Sequence, residues 1–189
     1  RLAFLFRRGV GRHIEILGCQ AQQKIAHRAA DLPDLHRSAL FNLNRRVQML
    51  RTEKTNNPSL IARQARMTSI NAALQIDLYD QANASHVRGQ IYSGFGGSTD
   101  FIVGALHSRG GRSFMALPSW HPKAKVSSIV PRLSENVTSF QHSFVVTEQG
   151  AAACFGHTQS EQAMNLINNA AHPDAKEGLI QAASVFGLI

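Results

Sequence analysis

A chain of 189 residues, 43% apolar and 17% charged, has length for one domain with a real core and too much apolar content for a disordered segment. No uncharged apolar run approaches the roughly 20 residues of a membrane-spanning helix. The opening RLAFLFRRGVGR scatters four arginines through a short apolar run without a cleavage site, so no secretory signal is read from it. The net charge of +8 is uneven: residues 1–66 carry 13 Lys/Arg against 4 Asp/Glu, and residues 67–189 carry 7 against 8. Such a basic arm suits nucleic acid or the phosphates of a nucleotide ligand, but aromatic residues are sparse and no nucleic-acid motif accompanies the charge. A solvated end is the plainer reading. Cys19 and Cys154 show no CxxC spacing and fit a reduced, cytoplasmic enzyme better than a disulfide scaffold. The nine histidines form no HxxxH or HExxH pair, so no metal site is expected.

In chain order, Leu17, Ile25 and Ala29 weakly mark one face of a helix over 14–30, broken before Pro33. Ala72, Leu74, Ile76 and Leu78 alternate with Ala73, Gln75, Asp77 and Tyr79, the period of a half-buried strand. Residues 80–85 read as a turn. Residues 90–93 are extended and run into Gly94-Phe95-Gly96-Gly97, with Ser98, Thr99 and Asp100 as N-cap types before an apolar helix over 101–107. Gly110-Gly111 ends it. Short strands are expected at 113–117, 126–130 and 143–147. Thr158-Gln-Ser-Glu161 fits a capping box, and Pro173 suits the first turn of a last helix running to about residue 185. Strands alternating with helices predict an open α/β domain, its sheet largely parallel and flanked by helices.

Four features bear on chemistry. Three glycines in four positions, followed by a helix start, present main-chain N–H groups to a phosphate, a thioester carbonyl or an oxyanion. A plain tight turn reads the same way, and neither Gly-Lys-Ser/Thr nor GxGxxG is present. The loop Trp120-His-Pro-Lys-Ala-Lys125 offers a stacking face and two lysines, or is simply a basic surface loop. Glu148 lies just beyond a strand, where α/β enzymes place functional groups, or else complements a following helix dipole; Asn71 is ambiguous in the same way. Cys154, without an assigned base, reads as a small buried hydrophobe, and no GxSxG elbow occurs.

Taken together, residues 69–78, 81–85, 92–101, 104–111, 127–131 and 145–150 follow one another in order. Gln162-Ala163, Leu166-Ile167 and Ala171-His-Pro-Asp174 complete the series. In this the chain resembles the C-terminal domain of the acetyl-CoA hydrolase/CoA-transferase family over roughly residues 43–183, which divides it into a basic, family-unlike segment 1–42 and a domain over 43–189. The resemblance implies a CoA-transferase-like α/β fold and coenzyme A or acyl-CoA as substrate, with no tightly bound cofactor. It implies a ping-pong reaction through a glutamyl-CoA thioester with a small carboxylate or water as acceptor. By position it points to Gly97 and Gly96 in the glycine loop, to Ser93 just before it, to Leu74 through its main chain, and to Lys123. Ser93 departs from the asparagine expected in some branches. The nucleophilic glutamate belongs to a segment that residues 1–40 do not resemble, and Glu15, the only acid before Asp31, is the weak candidate for it. The resemblance further implies a missing N-terminal domain and a homodimer of the full-length protein. The alternative is a truncated, non-catalytic remnant that still binds coenzyme A.

Overall fold

The computed structural model describes Phe4–Leu5 and residues 50–189, apart from 95, 136 and 138–140. Glu15, Cys19 and the weak helix over 14–30 lie outside the described residues. The main sheet has the order β1-β2-β7-β11-β12: β1 (Phe4–Leu5), β2 (Thr68–Ala72), β7 (Arg112–Ala116), β11 (Phe144–Thr147) and β12 (Gly150–Ala153). The three central strands are parallel and in register, with Ile70 beside Phe114 and Phe114 beside Phe144. The edge strands β1 and β12 run antiparallel to their neighbours. The expectation of an open, largely parallel α/β sheet holds.

One face of this sheet, with Ser69, Asn71, Ser113, Met115, Val145, Thr147 and Ala152, is buried. Met115, Val145 and Ala152 join Ile102, Leu166 and Ile167 in the main core. The opposite face carries Ile70, Phe114 and Phe144, all half-buried. Phe114 and Phe144 stack at 5.4 Å, and the Arg112 guanidinium lies 5.8 Å above the Phe144 ring. Among the described residues, both helical layers pack on the first face.

Those layers follow from local sequence. Helix α1 (Thr52–Thr55) precedes α2 (Pro58–Ala62), which starts on Pro58 with the Asn57 side chain accepting from Ser59 N and Leu60 N. Helix α3 (Ser98–His107) buries Phe101, Ile102 and Ala105, and its Phe101 and Ala105 meet Ile61 and Met67 in a second small core. Helix α4 (Gln159–Asn165) carries the expected capping box, with Thr158 and Glu161 bonding reciprocally. It runs straight into a wide π turn, Leu166–Ala170. Helix α5 (Pro173–Val185) is capped by His172 and ends on Gly187 at φ +67, where Leu188 N reaches Ala183 O and Gly187 N reaches Ser184 O in a Schellman motif.

The expected strand over 72–79 is two strands in two sheets. The chain leaves β2 at Ala72, and Leu74 N turns to Asn83 O. Strand β3 (Gln75–Asp77) then pairs with β4 (Ala82–Asn83), inside the expected turn, and with β10 (Ile129–Val130). Leu74, read as a buried strand position, is 42% exposed. The expected strand over 126–130 likewise breaks: β9 (Val126–Ser127) pairs with β8 (Trp120–His121), whereas β10 joins β3. A further hairpin, β5 (His86–Val87) and β6 (Gln90–Ile91), leads into the glycine loop.

Strands this short cannot hold the 73–97 excursion by ladder bonds alone; buried carboxylates do. Asp77, fully buried, accepts from Tyr79 N, Gln81 N, Gln81 Nε2 and Leu133 N at 2.9–3.1 Å. Asp80, 3% exposed and in the left-handed region at φ +60, accepts from His142 N at 2.8 Å and meets His142 Nδ1 at 2.7 Å. Removing one partner of a buried pair costs about 3–5 kcal/mol, because the other is left uncompensated. His142→Ala is therefore expected to lower the unfolding free energy by about 3–5 kcal/mol in urea titrations. A loss within the error of the titration contradicts the anchoring role.

Candidate functional site

In an open α/β sheet the parallel strands end on one side, and groups just past those ends face a common crevice. Strand β2 ends at Ala72, β7 at Ala116 and β11 at Thr147, so Leu117–Trp120 and Glu148–Gln149 leave the sheet on the same edge. The glycine loop reaches that edge by a different route. Helix α3 packs on β2 and β7, and its C-terminus is tied to the opposite edge, where Ser108 Oγ accepts from Met67 N at 3.1 Å and Arg109 O accepts from Arg66 N. Ten residues of helix rise about 15 Å, the length of the strands it lies along. Its N-terminus, and the loop Gly94–Gly97 before it, thus stand at the carboxyl edge.

Two atoms of Ser119 fix Glu148 there. Ser119 is fully buried; its N–H donates to Glu148 Oε2 at 2.9 Å and to Oε1 at 3.2 Å, and its hydroxyl donates to Oε1. These hydrogen bonds, the hydroxyl's first, pull the Glu148 carboxyl down to about 2 against a weaker opposing effect of burial. Glu148 is itself exposed. The arrangement is a charged carboxylate held by a neutral scaffold at the carboxyl edge. No helix follows Glu148, so the reading as a helix-dipole acid is overturned: Glu148 and Gln149 form a two-residue turn into β12. Ser119 carries no sequence signal linking it to Glu148; only the parallel pairing of β7 with β11 brings them together.

The model of the acetyl-CoA hydrolase/transferase C-terminal domain matches residues 35–183. The chain belongs to this family. A 4-hydroxybutyrate coenzyme A transferase of Clostridium kluyveri is 39% identical over 143 residues, 74% of this chain and 33% of that protein. An acetyl-CoA hydrolase of Saccharomyces cerevisiae is 33% identical over 140 residues, 70% of this chain and 25% of that protein. Among solved structures, RipA from Yersinia pestis superposes with a TM-score of 0.66 at 43% identity, covering 71% of this chain and 31% of that one. A 4-hydroxybutyrate CoA-transferase from Porphyromonas gingivalis gives 0.61 at 34% identity, covering 76% and 33%. The chain spans a third or less of the length of the curated relatives named here.

Within this family domain the residues singled out from sequence are not equivalent. Gly94 and Gly96 are exposed, and Gly96 sits at φ +64, a conformation that favours glycine. Gly97 is half-buried and caps α3; a Cβ there would fall on Asn56 Nδ2, so this glycine also serves the close approach of Asn56, whose amide bonds Asp100 at 3.4 Å. Ser93 is half-buried, with a hydroxyl that is buried and has no hydrogen-bond partner. Leu74 has its amide committed to Asn83 O. Lys123 is exposed in the β8–β9 hairpin. Trp120 does not present a bare face: His172 covers one side of the indole at 4.7 Å. Asn71 is buried and bonds Ser69 Oγ at 2.8 Å. Cys154 is fully buried, and burial followed by the charge of Asp80 pushes its thiol up, as befits a packed hydrophobe rather than a nucleophile. Among the described residues no group of three or more His, Cys, Asp or Glu could hold a metal, and no helix is long and apolar enough to cross a membrane.

Because Glu148 titrates lower in the folded protein than its ordinary 4.5, it adds stability above that pH and loses it as pH falls toward about 2. Ser119→Ala brings the folded value back up, so the variant is expected to lose less stability than the wild type between pH 4.5 and pH 3. Urea midpoints at the two pH values measure the difference; equal losses contradict the Ser119 cause.

Proposed function

We propose that this chain is the coenzyme-A-handling part of an enzyme that moves CoA from an acyl-CoA to a small carboxylate or to water. The observation that carries the reading is the placement of the glycine loop and the α3 N-terminus on the same sheet edge as the Ser119–Glu148 pair. Main-chain N–H groups at Gly96 and Gly97, aided by the positive end of the α3 dipole, stabilise the oxyanion formed when a thioester carbonyl is attacked. Ser93 supplies an unpaired hydroxyl beside them, Leu74 a main-chain contact, and Lys123 a cation for CoA phosphates. A glutamate carboxylate attacks the acyl-CoA and expels the CoA thiolate. That thiolate then attacks the glutamyl carbonyl of the acyl-glutamyl anhydride, expelling the acyl group as its carboxylate and leaving a glutamyl-CoA thioester for the acceptor.

The nucleophile proposed for that step, Glu15, lies outside the described residues. Glu148 is a poor substitute, since a carboxylate held near 2 by two donors is a weak nucleophile. This observation favours a second reading, a non-catalytic remnant that still binds CoA. In either case the remaining partners we propose are an N-terminal domain of the same enzyme and a second copy of the chain. The half-buried face with Ile70, Phe114 and Phe144 supports a neighbouring protein surface, since parallel sheets bury both faces. The compartment we propose is cytoplasmic, supported by the unpaired buried thiol of Cys154.

Calorimetric titration with acetyl-CoA tests the site. Gly97→Val is an unsuitable probe because of Asn56, whereas a Cβ at Gly94 meets nothing within 4 Å. Gly94→Val is expected to weaken binding by about tenfold or more, some 1.4 kcal/mol, with an unchanged thermal midpoint. Equal affinities, or no binding by the wild type, remove the site assignment. Mass spectrometry after incubation with acetyl-CoA separates the two readings: a CoA adduct on Glu15 supports catalysis, and binding without an adduct supports the remnant.

A further inference from the structure

Glu148 rides on the shortest kind of hairpin turn, two residues between the paired Thr147 and Gly150. A turn so short has no conformational slack, so whatever holds its two flanking residues also aims its side chains. Beneath it lies the π turn Leu166–Ala170, closed by Ala171 N on Leu166 O at 2.9 Å. Ala170 is the last residue of that helical run, and its carbonyl has no partner within the helix. Thr147 supplies one: its buried hydroxyl donates to Ala170 O at 2.8 Å and accepts from Gln149 N at 3.1 Å. One side chain thus closes the turn and fastens it to the layer below. On the other flank Gly150, at φ +152, lets the backbone settle on the π turn; a Cβ there would come 2.7 Å from Asn169 O.

We propose that Thr147 is a positioning residue, whose hydroxyl locks the Glu148 turn to the π turn and so keeps the Glu148 carboxylate on its two Ser119 donors. This deepens the reading of the carboxyl edge as the ligand site and rests on it for its functional meaning. The hydrogen bonds from Ser119 are directional, and they weaken steeply once a shift of the turn closes the donor angle below about 120°. A valine at this position keeps the shape and removes the hydroxyl, leaving Ala170 O and Gln149 N unpaired. A serine keeps the hydroxyl and loses a methyl.

The experiment follows the carboxyl carbon of Glu148 by NMR in glutamate-labelled full chain between pH 6 and pH ~3.5, a range in which an ordinary glutamate titrates. Wild type and Thr147→Ser are expected to stay flat, whereas in Thr147→Val the midpoint climbs toward the ordinary 4.5. A purely structural role would lower the thermal midpoint of the valine variant and leave its Glu148 signal flat. That result overturns the proposal, as does a serine variant that titrates like the valine one. Should the valine variant fail to fold, Gly150→Ala, which pushes the turn off Asn169, is read in the same way: a raised midpoint supports the proposal and a flat signal overturns it. No coenzyme A enters this measurement, so its failure is distinct from failure of the binding site.

Discussion

The in-register parallel alignment of β2, β7 and β11 decides where the rest of the molecule lies. Strands β2 and β7 end level at Ala72 and Ala116, and β11 ends one residue beyond them, so their ends deliver Ala72, Leu117–Trp120 and Glu148 to one edge. Burial of Met115, Val145 and Ile102 on the covered face sets this alignment. Each such side chain contributes about 1.5–3 kcal/mol, against about 0–1 kcal/mol for an exposed pair like Arg51–Glu53. A slip of one residue in β7 would carry Ser113 and Met115 to the open face and bring Arg112 and Phe114 into the core, so register is strongly specified.

The excursion between β2 and α3 poses the opposite problem. It consists of strands of two or three residues and buries little by itself beyond Ile76 and Leu78. Its fixity comes from polar groups with all their partners inside: Asp77 collecting four donors, Asn83 bridging Ser85 N, His86 N and His86 O, and Asp80 meeting His142. Networks of this kind stabilise when complete and are costly when one member is lost. They bring the loop after β6 to the carboxyl edge without a long strand to guide it. Asp80 in the left-handed region is part of that arrangement, since a short carboxylate tolerates the conformation better than most side chains.

Legibility in the sequence follows from how local each determinant is. The capping box at Thr158, Pro173 at a helix start and the β-branched run of β11 are contained within a few residues, and all three stand as read. Residues 72–79 alternate as one strand would, yet the break at Leu74 is made by Asn83 O, nine positions away, and the pairing of Ile76 by Ser128 O, farther still. Strand β12 is not legible in the sequence because Gly150-Ala-Ala-Ala153 has neither β-branched residues nor alternation; it exists by pairing with β11. At the site, the glycine loop was legible because main-chain exposure is written in glycine itself. The tie of Glu148 to Ser119, across 29 residues, was not, because neither residue type signals the other.

The plainness of β12 has a physical use. Gly150 and Ala152, the β12 residues on the covered face, leave no bulk between the sheet and the α4–π layer, so helix groups bond the strand's end directly: Asn165 Nδ2 donates to Ala153 O and Gln162 Nε2 to Cys154 O, both at 2.9 Å. Larger residues would hold the layers farther apart and put Ala170 O out of reach of Thr147. The π turn matters for the same reason. By admitting one extra residue per turn it moves the helix end toward the hairpin, where a regular α-helix would have turned those carbonyls elsewhere. Small side chains in β12, the widened turn and the exposed carboxylate at the hairpin tip are therefore parts of one construction, in which close approach of two layers aims a charge at the edge where the glycine loop stands.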